Sequence, residues 1–290
     1  MSLIPHKPRL AQAEHRGRRA VFRTKGILHS FITGFSIETF QGVCGMRCSA
    51  LILSVLLVLT VPLWAAPEKA PGKLVVLTFD DSVASQATFV APLLKSLGFG
   101  ATFFITEGFD FATNKTQYMT WEQIKQLHGQ GFEIGNHTRH HTSVNAQSVA
   151  ELTADIAYIE DQCEKNGIPR PVTFCYPGHA TSREAVKVLK ERGYKCARAG
   201  GSRVFEPGKD DPLLMPQAFS SYPGMTIEEL KVAVANAREG RIAVLTFHGV
   251  PDVQHPTAST DQETFKAYMN YLKAEGCTVV ALRDIIKYLP

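Results

Sequence analysis

Glycine-rich phosphate loops are missing from this chain of 290 residues. No Gly-x-Gly-x-x-Gly or phosphate-loop pattern follows an apolar run, so nucleotide binding lacks its usual backbone cradle. Internal repeats and low-complexity tracts are absent too, which excludes a repeat array. Cysteine is scarce, with six residues, and Cys44 and Cys48 lie in the leader. Cys163, Cys175, Cys196 and Cys277 remain, too few and too scattered for a dense disulfide framework. Buried free thiols are expected; a Cys175–Cys196 bridge across neighbouring strands is the alternative. An excess of basic charge is missing from the main part of the chain. The formal net charge is +4, but residues 1–66 hold eight of the 31 Lys and Arg and two of the 27 Asp and Glu. Residues 67–290 thus carry 23 bases against 25 acids, which gives nucleic-acid binding no support.

Only one long apolar run is present, Ser49 to Leu63. Arg47 precedes it and Trp64-Ala65-Ala66-Pro67 follows, as in a secretory signal peptide with cleavage after Ala65 or Ala66. Met46 stands where such a peptide would begin. Residues 1–45 are therefore expected to be an upstream extension, disordered, and residues 46–66 the signal peptide. The competing expectation is an uncleaved membrane anchor over 49–66 with a basic cytoplasmic tail. The run is short for a bilayer span, so cleavage and export to the periplasm or exterior are expected. Residues 67–73 are expected to form a Pro/Lys/Gly linker, and 74–290 one folded domain.

Beyond the linker, apolar runs alternate with helix-like segments. Leu74–Phe79, Ala101–Thr106, Phe132–Asn136, Val172–Tyr176, Tyr194–Arg198, Ile242–Phe247 and Thr278–Leu282 read as strands. Ala87–Leu97, a segment starting after Thr120, Ala146–Lys165, Ser182–Arg192, Thr226–Arg238 and Asp261–Ala274 read as helices. Thr120 with Gln123, and Thr226 with Glu229, have capping-box spacing. The alternation predicts an α/β fold, a TIM-barrel-like closed or nearly closed (β/α) barrel. An open doubly wound sheet is the alternative.

Polar clusters follow three of these strands: Asp80-Asp81, His137-Thr138-Arg139-His140-His141 and His248-Gly249. A buried strand ending on two carboxylates needs charge compensation, and a metal ion is the usual form. His137 and His141 are four apart, which on a helical turn puts both imidazoles on one face. With Asp81 they make a two-His, one-Asp set that leaves a coordination position open, as in catalytic zinc sites. Each cluster alone has a plainer reading. The aspartates fit a solvated turn, the His-x-x-x-His chance, and His248 a core histidine. Their shared place after strands of one barrel favours a catalytic metal.

These motifs resemble those of the polysaccharide deacetylases, the NodB homology domain of carbohydrate esterase family 4. Thr78-Phe79-Asp80-Asp81 matches the first family motif and His137-Thr138-Arg139-His140-His141 the second. Phe174-Cys175-Tyr176-Pro177-Gly178 and Leu245-Thr246-Phe247-His248 resemble the third and last. The resemblance spans 74–290 and implies a distorted (β/α)7 barrel that hydrolyses acetyl groups on sugars. Carried over by position, it implies that Asp81, His137 and His141 bind one divalent ion, zinc first, with cobalt or nickel as alternatives. Asp80 would be the general base, His248 the general acid, and the Gly178 backbone N–H an oxyanion donor. Tyr176, Pro177, Leu245 and Phe247 would wall the acetyl pocket.

Two departures stand out. Cys175 replaces the motif arginine that pairs with the base, and Arg198 is the candidate substitute. Gly249 stands where an aspartate is usual, and Asp210 or Asp211 is the candidate to orient His248. His179 and His255 are candidates to line the sugar groove, with solvated loop histidines the plainer account. The implied activity is removal of acetyl groups from N-acetylated glycans such as chitin oligosaccharides or peptidoglycan. A xylan O-acetyl esterase, a small-amide hydrolase and a catalytically silent glycan-binding barrel are the alternatives. The expected partner is an acetylated oligo- or polysaccharide, with no nucleic acid or nucleotide, and a membrane only through an uncleaved leader.

Overall fold

The computed structural model describes residues 68–290. The expected leader boundaries at 45 and 66, with Cys44 and Cys48, lie outside the described residues. At the centre, β1 (Leu74–Phe79) pairs in parallel with β7 (Ile242–Phe247) along its whole length, from Leu74↔Ile242 to Phe79↔Phe247. Every residue of both strands is buried, which explains apolar runs without alternation. The other edge of β1 is shared. Its carboxyl end pairs with β2 (Thr102–Ile105) and its amino end with β8 (Thr278–Val280).

The sheet continues through β3 (Glu133–Asn136), β4 (Thr173–Cys175) and β5 (Cys196–Arg198), all parallel. A two-residue strand, β6 (Phe219–Ser220), pairs with β7. Just before β6, Met215 exchanges backbone hydrogen bonds with Ala197 and Ala199, and the Ala218 N–H donates to the Val244 carbonyl. This stretch ties the β5 edge to β7 and curls the sheet into the distorted (β/α)7 barrel. Period-two patterning cannot register a strand this short, so the sequence gives no sign of β6.

Helices cover the outside. The capping box predicted at Thr120 opens α2 (Trp121–Gly129), with Gln123 closing it from both directions. The Thr226 N–H donates to Glu229 at the start of α5 (Ile227–Ala235). The helix expected from Ala146 begins later, as α3 (Val149–Lys165), because Ser148 caps it. The helix expected over Ala87–Leu97 is divided into a π turn, Gln86–Val90, and α1 (Ala91–Leu97). α4 (Arg183–Glu191) and α6 (Gln262–Ala274) complete the layer.

Side-chain alternation sorts each strand into two rows. Leu74 and Val76 of β1 pack inside the barrel with Ile242, Val244, Phe104, Cys175 and Cys196. Val75, Leu77 and Phe79 face the helices, where they meet Phe247 and Phe265. Thr78 and Thr246 continue the inner row with hydroxyls 3.3 Å apart. The next inner positions are Asp80 and His248.

All four cysteines among the described residues are free thiols. In the β4–β5 register Cys196 faces Thr173 and Cys175 faces Arg198. That offset of two residues along the strands is too far for a disulfide.

Candidate active site

The two aspartates part because the backbone turns between them. Asp80 still belongs to the sheet, its N–H donating to the Phe247 carbonyl at 3.0 Å. Asp81 and Ser82 then adopt left-handed conformations, with φ of 70° and 56°. Such residues cost about 1–3 kcal/mol each and persist where the surroundings enforce them. Here the Ser82 hydroxyl donates to the Thr106 carbonyl and accepts the Thr106 N–H, at 2.8 and 2.9 Å. Both carboxylates are buried, and they face different partners.

Asp81 turns toward the loop after β3. Its Oδ1 lies 3.4 Å from His137 Nε2 and 3.2 Å from His141 Nε2. The helical turn expected for the His-x-x-x-His segment is not formed. Thr138 and His141 have φ of 64° and 56°, and the loop is folded by side chains instead. Asn136 Oδ1 accepts the Thr138 N–H at 2.9 Å, and Thr138 Oγ1 accepts the His141 N–H at 3.2 Å. The imidazoles still converge, with ring centroids 4.7 Å apart. His140 points away to Asp155 on α3, at 2.7 Å.

The donor set fits a divalent cation. His137 Nδ1 lies 2.8 Å from the Cys175 carbonyl, which only accepts, so Nδ1 carries a proton and Nε2 is the atom left to face an ion. Nε2 faces Asp81 Oδ1, a buried oxygen without a hydrogen-bond partner. One ligand atom each from Asp81, His137 and His141 lies within 4.8 Å of the others. Ligand atoms of Asp80, His137 and Cys175 also lie within 4.8 Å of one another. They suit an ion less well: burial pushes the Cys175 thiol up, so it stays protonated, and Asp80 is already paired.

Asp80 is paired by Arg198. The guanidinium, fully buried on β5, donates through Nη2 to Asp80 Oδ2 and through Nη1 to Gln217 Oε1 at 2.9 Å. Nη2 also contacts Cys175 Sγ at 2.7 Å. Burial pushes the Asp80 carboxyl up, but the Arg198 guanidinium beside it leads the charges that outweigh burial, and the group titrates below the usual carboxylate range. Gln86, in the π turn, bridges the carbonyls of Asp80 and His248 and so joins the two strand ends. His248 Nε2 sits 3.9 Å from Asp80 Oδ2 and 3.8 Å from Asp81 Oδ2, and its Nδ1 is buried without a partner.

Several candidates lie elsewhere. Asp210 is held by Arg203 at 2.7 and 2.9 Å, and Asp211 caps the turn at Leu213, so neither orients His248. Leu245 and Phe247 fall in the outer row and pack with Phe79 and Phe265. Tyr176 is buried with Phe174 in the outer layer, and its hydroxyl donates to the Leu213 carbonyl at 2.8 Å. Strand alternation therefore takes these three walls away from the carboxylates; Thr246 is the inner-row residue of β7 nearest His248. Pro177 and Gly178 form the turn after β4, with Gly178 at φ 59°. The next residue, His179, reaches Arg198 at 3.4 Å, which sets this turn beside the Asp80 pair. Gln86 and Gln217 were invisible as site residues in the sequence, because neither belongs to a polar cluster.

An aspartate pair, two histidines and a third histidine thus converge at the carboxyl end of the barrel strands. The polysaccharide deacetylase profile matches residues 68–197. A peptidoglycan-N-acetylglucosamine deacetylase of Bacillus cereus is 32% identical over 227 residues, 78% of this chain and 92% of the relative. The chain belongs to the polysaccharide deacetylase family. The chitin deacetylase of Colletotrichum lindemuthianum has the same fold, with a TM-score of 0.54 and 18% identity over 76% of this chain and 89% of that one. So does a family 4 acetyl xylan esterase of Clostridium thermocellum, whose structure contains a cobalt ion (TM-score 0.52, 23% identity, 75% and 93% coverage).

Proposed function

We propose that this protein is an exported, metal-dependent deacetylase of N-acetylated glycans. The observation that carries this reading is the division of labour between adjacent aspartates. Asp81 Oδ1 lies without a hydrogen-bond partner against the Nε2 atoms of His137 and His141, while Asp80 is paired with Arg198. Asp81, His137 and His141 would hold the ion, and zinc suits two nitrogens and one oxygen. A divalent ion there supplies Lewis acidity and acidifies a water molecule.

Asp80, kept ionised by Arg198, takes the proton from the attacking water. The Gly178 N–H, in the turn beside Arg198, donates to the oxyanion that develops on the acetyl oxygen. His248 delivers a proton to the departing nitrogen. An amine leaves poorly without that proton, and Nε2 of His248 faces the site. Export is supported by the apolar run at Ser49–Leu63 and by the peptidoglycan named for the Bacillus cereus relative.

The test is acetate release from chitooligosaccharides, peptidoglycan and acetylxylan. Release that disappears on chelation and returns with zinc or cobalt is expected, with the N-acetylated substrates preferred. Release only from acetylxylan would replace the amidase reading with an esterase. Binding of glycans without release from any of them would make the chain a binding barrel.

A further inference from the structure

Phe109 is a large aromatic left 47% exposed beside the candidate metal site. Its ring centroid lies 4.7 Å from that of His141 and 4.6 Å from that of His255, and it stacks on Tyr118 at 6.2 Å with 8° between planes. The backbone holds the ring there at a cost. Phe109 has φ of 57°, a conformation that glycine or asparagine adopts more easily. The preceding Gly108 is pressed against the histidine loop, and a Cβ on it would meet His141 Cβ at 2.8 Å. The Glu107 N–H donates to the Arg139 carbonyl at 3.0 Å, and the Gly108 N–H to Thr106 Oγ1 at 3.0 Å. The segment is thus strapped to the loop that carries His141.

His255 is fixed from the other side. Its Nδ1 lies 3.2 Å from the buried Asp252 carboxylate, which also accepts its N–H at 2.9 Å. The ring then presents Nε2 as its remaining polar atom. Burial, helped by the Asp252 and Asp81 charges, pushes the Tyr118 phenol up to about 12, so it stays neutral behind Phe109. A strained, half-exposed ring backed by a buried one does not serve the core. It serves something that covers it.

We propose that Phe109 and His255 form a sugar-binding subsite that seats one face of a β-linked, gluco-configured pyranose next to the acetyl group under attack. Such a sugar carries its ring hydrogens axially, which gives it an apolar face that stacks on an aromatic ring, while its equatorial hydroxyls reach outward to His255 Nε2. The ring's contact with His141 continues this platform into the catalytic cleft. The inference rests on the deacetylase reading and deepens it: the subsite selects the polymer, not the chemistry.

The test uses the full chain loaded with zinc, with an N-acetylglucosamine tetramer and an aryl acetate as substrates. Phe109→Ala is expected to raise KM for the tetramer about tenfold while kcat moves less than twofold, so that selectivity for tetramer over aryl acetate also falls about tenfold. Phe109→Trp should restore most of it. Calorimetric titration of the tetramer into the metal-free chain should show the same weakening without turnover. An unchanged tetramer KM would overturn the subsite. Equal losses on both substrates would also overturn it, because the ring would then act through His141. A wild-type chain that releases no acetate from the tetramer yet binds it through Phe109 refutes the deacetylase reading alone.

Discussion

Removing the guanidinium of Arg198 is the most revealing single change. In Arg198→Met, the Asp80 carboxylate loses the arginine that pairs with it while it stays buried. Breaking a buried pair from one side costs about 3–5 kcal/mol. At about 2–4 °C per kcal/mol for a domain of this size, the melting temperature should fall by roughly 6–20 °C. Burial then acts on Asp80 with less opposition, so its pKa rises and the acid limb of acetate release moves to higher pH. The structure supplies a rescue. Cys175 and Arg198 are directly paired in the β4–β5 register, and neighbouring strands lie about 4.8 Å apart. Cys175→Arg with Arg198→Cys returns a guanidinium to the same layer from the adjacent strand. Thermal melting and pH-rate profiles of the single and double variants check this. A single variant that matches the wild type in melting temperature and acid limb would refute the role given to Arg198. A double variant no better than the single would refute the idea that either strand can supply the charge.

Further predictions concern stability and metal. Glu160 is buried between Arg170, Arg192 and the Tyr194 hydroxyl; burial pushes it up, but these partners outweigh that and its pKa is lowered. A lowered carboxylate stabilises above its unfolded pKa and loses that contribution as pH falls through the folded one. Glu160→Gln should therefore cost about 1–3 kcal/mol at pH 7, a gap that closes on acidification in denaturant titrations. Gly135→Ala drives a Cβ to 2.5 Å from the Phe104 ring and 3.0 Å from Thr173 Oγ1 and should cost about 1–3 kcal/mol by the same assay. Chelation should lower the melting temperature of the wild type, and the shift should vanish in His141→Ala.

The fold was legible where burial dictates the pattern. β1 and β7 match their predicted bounds residue for residue, since both are covered on two faces and read as unbroken apolar runs. The capping box at Thr120 marked its helix equally well. β6 was not legible, because its two residues are defined by the neighbours they pair with. At the site, Asp80, Asp81, His137, His141 and His248 announced themselves as polar clusters after strands, and the structure brings all five together. Their geometry was less legible. His137 and His141 meet through left-handed turns, and Gln86 acts through a π turn that has no sequence signal. The pocket walls failed for a definite reason: Leu245 and Phe247 are odd-numbered steps from the inner row that ends at His248, so alternation turns them toward the helices.

The separate roles proposed for the two aspartates are tested most directly by zinc content measured alongside acetate release in Asp80→Asn. We expect this variant and the wild type each to retain one ion per chain, and the variant to release acetate at least about a hundredfold more slowly. Loss of the ion would place Asp80 among the ligands, and wild-type release would remove it from proton transfer; either result contradicts the account.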